Sequence, residues 1–132
     1  MKRVSIILGI CVGTMLTISG CDYVVNKKWI YINETNHVIT CEPSPQRGEF
    51  YISEQDTLVY CVEGIGSKHV DPNELTPPVD GNVIIDNEFS DSVLTRKVRD
   101  VSEYECKILM ENNFEFTFRF TEQNVGSDVN QK

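Results

Sequence analysis

The sequence predicts an all-β protein: a single antiparallel β-sandwich of about eight short strands, set behind a signal peptide. Three observations predict it. Beyond residue 28 the apolar residues alternate with period two, and no sustained helical spacing appears. Clusters of Gly, Pro, Asn and Asp break this alternation at short, regular intervals. Near the C-terminus, Phe114, Phe116, Phe118 and Phe120 alternate with Glu115, Thr117, Arg119 and Thr121. A strand with one apolar and one polar face belongs to an antiparallel sheet covered on one side.

The first element is an address. Lys2 and Arg3 precede an uncharged, apolar run over residues 4–18 that Gly9 and Gly13 interrupt. A short positive region, an apolar stretch and small residues before a cut site make a secretory signal. As a membrane span the uncharged stretch is marginal against the roughly 20 residues a helix needs, and Asp22 follows it at once with no basic cluster. Ile18-Ser19-Gly20-Cys21 resembles the lipobox of bacterial lipoproteins: an aliphatic residue, two small residues, then cysteine. The resemblance covers residues 1–21. It implies cleavage between Gly20 and Cys21, a diacylglyceryl group on the Cys21 sulfur and acylation of the new N-terminus. One acyl chain binds a membrane only marginally, whereas two or three anchor it stably. The implied partner is therefore membrane lipid, reached through acylated Cys21. The implied location is the cell envelope, with the outer membrane favoured. Asp22 marks inner-membrane retention in enterobacteria-like systems, but other Gram-negative groups read that position differently.

Processing changes the charge. The whole chain of 132 residues has 12 basic and 20 acidic side chains, net −8. Loss of Lys2 and Arg3 leaves 10 and 20 in residues 21–132, net −10. Such a surface repels phosphate backbones, so no nucleic acid is expected as a partner.

Within the mature chain, residues 21–28 read as a tether, 29–121 as the sandwich and 122–132 as a flexible polar tail. Strands are expected at 28–33 and 37–42, paired as a hairpin across Glu34-Thr35-Asn36. A second hairpin is expected from 49–53 and 57–63, joined by Glu54-Gln55-Asp56. Between the hairpins, Pro43 to Gly48 is a loop by composition. Residues 64–81, with Pro77-Pro78, form the longest irregular stretch, a candidate functional loop as well as a crossover between sheets. Strands are expected at 82–86 and 92–98, the latter near an edge because of Arg96 and Lys97. Asp100 is placed to cap a helical turn over 100–103, with Glu103 completing a capping-box-like pattern. The clearest hairpin joins 104–111 to 114–121 through Asn112-Asn113.

A wider resemblance, to small uncharacterised envelope lipoproteins of Bacteroidota-type bacteria, rests on three pieces. They are the aromatic opening strand with Asn33-Glu34-Thr35-Asn36-His37, Val83-Ile84-Ile85-Asp86-Asn87, and Phe116-Thr117-Phe118-Arg119-Phe120-Thr121. It implies a sandwich-like fold and no established activity. True immunoglobulin domains order their marks Cys, Trp, Cys; here Trp29 precedes Cys41, Cys61 and Cys106, so that pattern is absent.

Few residue patterns carry chemistry. Removal of Cys11 with the signal and lipidation of Cys21 leave three cysteines. Cys41 and Cys61 are a candidate disulfide, closing a loop of about 20 residues, against the reading of all three as small buried hydrophobes. His37 and His69 show no zinc-ligand spacing, so no metal or other cofactor is expected. No Gly-x-Ser-x-Gly elbow occurs, and Gly64-Ile65-Gly66-Ser67-Lys68 lacks the length of a phosphate loop. Asp86, Asn87, Glu88 and Asp91 offer oxygens for calcium but read better as a solvated acidic turn. Asn33-Glu34-Thr35 fits an N-glycan acceptor, yet in a bacterial chain both ends are better turn residues. Asp56-Thr57-Leu58 and Asp91-Ser92-Val93 resemble the O-glycan acceptors of Bacteroidota-type envelope proteins, making Thr57 and Ser92 candidate modification sites. The expected function is thus a lipid-anchored binding or accessory module without catalytic activity, recognising an envelope protein or glycan. Two alternatives stand beside it: a small hydrolase using carboxylates near 64–81, and a structural subunit marked by an exposed apolar sheet edge.

Overall fold

The structure is a computed structural model that describes residues 4–5, 23–42 and 50–129. Gly20, Cys21 and the rest of the lipobox-like segment lie outside the described residues, as do residues 43–49, where a loop is expected. Two sheets pack together as a β-sandwich, as the alternation predicts. A two-residue strand, β1 (Val4–Ser5), pairs parallel with one edge of the first sheet. The main strands of that sheet are β2 (Tyr23–Asn33), β5 (Thr57–Gly66), β8 (Glu105–Met110) and β9 (Asn113–Phe120), in the order β1-β5-β2-β9-β8. The second sheet holds β3 (Ile39–Cys41), β4 (Phe50–Ile52), β6 (Val83–Ile85) and β7 (Phe89–Asp91), in the order β4-β3-β6-β7.

The two expected hairpins over 28–63 do not form. β2 and β3 lie in different sheets, and so do β4 and β5. Asn33 explains the first crossing. Its Nδ2 donates to the carbonyls of His37 (2.7 Å), Ile52 (3.1 Å) and Ser53 (3.0 Å), while its Oδ1 accepts from Thr35 N and Thr35 Oγ1. One buried amide therefore ties the end of β2 to the end of β4 and turns the chain out of its sheet. The turn roles of Asn33 and Thr35 are as expected, but the turn joins sheets rather than neighbours. β5 instead pairs antiparallel with β2 from Tyr23↔Gly66 to Ile32↔Thr57, and β9 pairs parallel with β2, with Trp29 opposite Phe116.

β2 also begins at Tyr23, so most of the expected tether is strand. Val25 is buried and Lys27 half-buried; the alternation continues there with polar residues on half its positions, which disguises it. The C-terminal hairpin β8–β9 forms as predicted, with Asn112 at φ 58 in its turn. All four phenylalanines of β9 are buried, and Phe116 stacks on Trp29 with ring centroids 4.3 Å apart. They join Tyr31, Ile39, Cys41, Ile52, Val83 and Ile85 in one core drawn from both sheets.

Two helices stand where the sequence predicts a strand and a flexible tail. α1 (Ser92–Arg99) stands where a strand over 92–98 was predicted. Asp91 starts it: its side chain accepts from Leu94 N at 2.9 Å, satisfying a donor that the first turn leaves orphaned. Leu94 and Val98, four apart, are both buried, so the apolar period there is helical. α2 (Glu122–Val129) occupies the expected tail. Thr121 Oγ1 accepts from Asn124 N (3.3 Å) and Asn124 Oδ1 accepts from Thr121 N (2.8 Å), a reciprocal cap, and Val125 is buried. Asp100 caps the single 3-10 turn Val101–Glu103 as predicted. Glu103 does not close the box, because the Asp100 N–H is already given to Lys97 O. Among the described residues no helix is long and apolar enough to cross a membrane.

Candidate ligand cleft

Burial of Leu94, Thr95 and Val98 fixes the rotation of α1 and so sends Arg96, Lys97 and Arg99 to solvent. Thr95 locks this rotation: its hydroxyl donates to Asp91 O at 2.5 Å and accepts from Val83 N at 2.9 Å, tying α1 to β6. Arg96 and Arg99, three apart, share a side of the helix. Facing them is the segment after β5. There Asp71 caps a 3-10 turn, Pro72–Glu74, by accepting from Asn73 N at 2.9 Å, and Pro72 supplies the preset φ of its first position. Pro77, Pro78 and Val79 are then buried, so the stretch predicted as a long irregular loop is nailed to the core. Gly81 completes the attachment, donating to Glu42 O at 2.7 Å where a Cβ would stand 2.6 Å from Glu42 Cβ.

Between these walls lies a shallow cleft of about 410 Å³, lined by Leu75, Thr76, Pro77, Arg96, Arg99, Asp100 and Val101. Its floor is apolar and its rim cationic. Among the described residues no carboxylate lies within 4.0 Å of Arg96, Lys97 or Arg99; the ion pairs there are those of Lys28, His37, His69 and Arg119. Cations in the last turn of a helix oppose the negative end of its dipole, a favourable arrangement in itself. The one acid in the cleft, Asp100, is occupied: its Oδ1 accepts from Ser102 N (3.0 Å) and Ser102 Oγ (2.7 Å), bonds that hold its carboxyl below the usual range.

A second polar cluster sits at the acidic turn between β6 and β7. His37 Nδ1 meets Asp86 Oδ2 at 2.6 Å, Asp86 Oδ1 accepts from Val38 N at 2.9 Å, and His37 Nε2 lies 3.8 Å from Glu122 Oε2. The hydrogen bond from Asp86 raises the His37 pKa, and the same bond with that from Val38 lowers that of Asp86. Asp86 and Asn87 both have positive φ (51° and 61°), as a tight β6–β7 hairpin demands. The cluster is solvent-exposed and bridges three turns.

The remaining sequence candidates fall as follows. The calcium quartet is not gathered: Asp86 faces His37, whereas Asp91 is fully buried as the cap of α1. Among the described residues no group of three or more His, Cys, Asp or Glu could hold a metal ion. The Cys41–Cys61 bridge is not formed. Cys41 is a free thiol sealed in the core, and burial pushes its pKa up to about 12. Cys61 pairs with Lys28 on the outer face of the first sheet, so a whole strand layer separates the two sulfurs. Cys106 is likewise a free thiol, exposed on β8. Thr57 is half-buried at the start of β5, and Ser92 is exposed at the start of α1. Sequence reading missed Arg96 and Arg99 as a site because it laid 92–98 on a strand, with Arg96 on its edge and Arg99 beyond it; the Asp91 cap three residues before Leu94 was the available signal.

Compared with family models, curated proteins and solved structures, the chain matches none.

Proposed function

We propose that this chain is a lipid-anchored, non-catalytic binding module of a bacterial envelope, taking an acidic glycan of that envelope in the Arg96–Arg99 cleft. The observation that carries the reading is the cleft itself. Two arginines, Arg96 and Arg99, neither with a carboxylate within 4.0 Å among the described residues, stand beside an apolar floor, on a mature chain whose net charge is −10. Guanidinium groups suit carboxylate and phosphate because their donors match those oxygens in pairs. Leu75, Pro77 and Val101 suit the apolar face of a sugar ring. The anchor rests on the lipobox at Cys21. A hydrolytic reading has weaker support: acid–base cleavage of a glycoside needs two carboxyl groups at a defined separation, and Asp100 alone lines the cleft.

The test is binding of the lipidated protein to acidic and neutral oligosaccharides, alongside the double variant Arg96→Gln/Arg99→Gln. Preferential binding of uronate- or phosphate-bearing chains is expected, weakening with added salt and lost in the variant, with the melting temperature retained. Equal binding of neutral chains, or an unaffected variant, would overturn it.

A structural-subunit role has one specific observation behind it. Every residue of β8 is exposed, including Ile108, Leu109 and Met110, and its outer edge is unpaired among the described residues.

A further inference from the structure

Most of the exposed large apolar side chains are not scattered. Register places Tyr23 opposite Gly66 and Val24 opposite Ile65, at the end of the first sheet where β2 begins and β5 finishes. Met110 pairs with Asn113, which in turn lies opposite Asn26 of β2, three residues from the start of that strand. Tyr23, Val24, Ile65 and Met110 are all among the exposed large hydrophobics. They therefore occupy one end of one sheet.

That end is rigid. Asn112, in the β8–β9 turn, donates from Nδ2 to the carbonyls of Ser67 (3.0 Å) and Lys68 (3.1 Å), and its Oδ1 accepts from Val70 N at 3.1 Å. Its own carbonyl accepts from Asn26 N at 2.8 Å. One residue, through its side chain and its own carbonyl, thus welds the start of β2, the segment after β5 and the β8–β9 turn into a single surface. Lys68 and His69, both exposed, stand on the segment so held, and His69 pairs with Glu111 at 2.9 Å.

The position of the anchor says what covers this surface. Cys21 lies two residues before Tyr23, and two residues span at most about 7 Å. We infer that the Tyr23–Val24–Ile65–Met110 end docks into the lipid interface itself, so that the sandwich stands on the membrane in a fixed orientation instead of swinging on a tether. The inference rests on the lipid anchor proposed above, and deepens it. An acylated Cys21 holds these side chains at headgroup depth, where apolar groups and tyrosine rings are both favoured. The short link also leaves no room for a second protein to intervene. The Arg96–Arg99 cleft belongs to α1, which packs beside β6 of the second sheet.

The test uses the full chain, exported, lipidated and reconstituted in phosphatidylcholine vesicles with plain or brominated acyl chains. Two reporters are compared with the parent, whose Trp29 is sealed in the core. One is Ile65→Trp; the other is Tyr51→Trp, equally exposed (67% against 69%) but on the second sheet. Docking predicts a blue-shifted Ile65→Trp emission that brominated lipid quenches, and an unshifted Tyr51→Trp emission that it does not. An unquenched Ile65→Trp on protein that floats with the vesicles overturns the docking while leaving the anchor intact. A blue shift that grows with protein density but ignores bromine also overturns it, in favour of a second copy on the same surface. Protein that neither floats nor takes up labelled fatty acid overturns the anchor, and the docking with it.

Discussion

His37 and Asp86 meet 2.6 Å apart at a junction of three turns, and their bond gives the molecule a defined pH response. The His37 pKa is raised from 6.5 and the Asp86 pKa lowered from 3.8. A raised histidine contributes stability that is complete below its unfolded pKa and is lost as pH rises through its folded one. A lowered aspartate contributes stability that is complete above its unfolded pKa and is lost as pH falls through its folded one. The pair is therefore at full strength between the two unfolded values and fades on either side. Both side chains are more than a third exposed, so the contribution stays below about 1 kcal/mol. Asp86→Asn keeps the acceptor for Val38 and tolerates the positive φ, so it isolates the charge. Thermal melts should show a deficit for this variant at pH 5.5 that narrows by pH 9, where only the weakened bond from Val38 still separates it from the parent; a deficit of constant size would contradict the pairing. At this scale the sequence was legible where a residue acts locally, as Asn33, Thr35 and Asp100 do in their turns. The partnership of His37 with Asp86 joins residues 49 apart and has no local signal.

Among the elements, α1 carries the most consequence, because it aims the cleft. Thr95 is its lock, holding the amide of Val83 on one side and the carbonyl of Asp91 on the other. Thr95→Val preserves shape but strands a buried N–H, which costs about 1–3 kcal/mol. Chemical denaturation should register that loss, and α1 should lose amide-exchange protection ahead of β9. An unchanged denaturation midpoint would show that the hydroxyl is not the tie. α1 was misread as a strand because its eight residues are too few for a helical period to dominate, and Val93, Leu94, Thr95 and Val98 also suit a pleated surface. α2 was missed for a related reason: Val125 docks it, and two valines among eight residues, with Gly126 between them, define no period. β9 is the contrary case. Four phenylalanines on one face fix which face is buried, as the structure has it, but not the sense of pairing: the expected antiparallel sheet is mixed, because β9 runs parallel to β2.

For the whole molecule, stability centres on the Trp29–Phe116 stack and the aromatics around it. Trp29 meets Tyr104 edge-on at 5.4 Å, and Tyr104 donates to the carbonyl of Val98 at 2.6 Å, which brings α1 into the same unit. Phe116→Ala empties the middle of this assembly and should cost about 3–5 kcal/mol. A drop below about 1 kcal/mol in equilibrium unfolding would mean that the two sheets are not held together there. The same rigidity shapes both proposed surfaces: the cleft is made by α1 and the 72–77 segment, both fastened to the core, and the proposed membrane face by three segments fastened to Asn112.

The sequence by itself determined the class of the fold, the face of β9 that is buried and the C-terminal hairpin. All of these depend on neighbours in the chain, where periodicity and turn chemistry act directly. Only the tertiary structure decided which strand joins which sheet, that Cys41 and Cys61 face opposite sides of a strand layer, and that Arg96 and Arg99 line a cleft. Those outcomes are set by packing between segments distant in sequence. A two-residue period says that a strand has two faces; it carries no information about what lies against either of them.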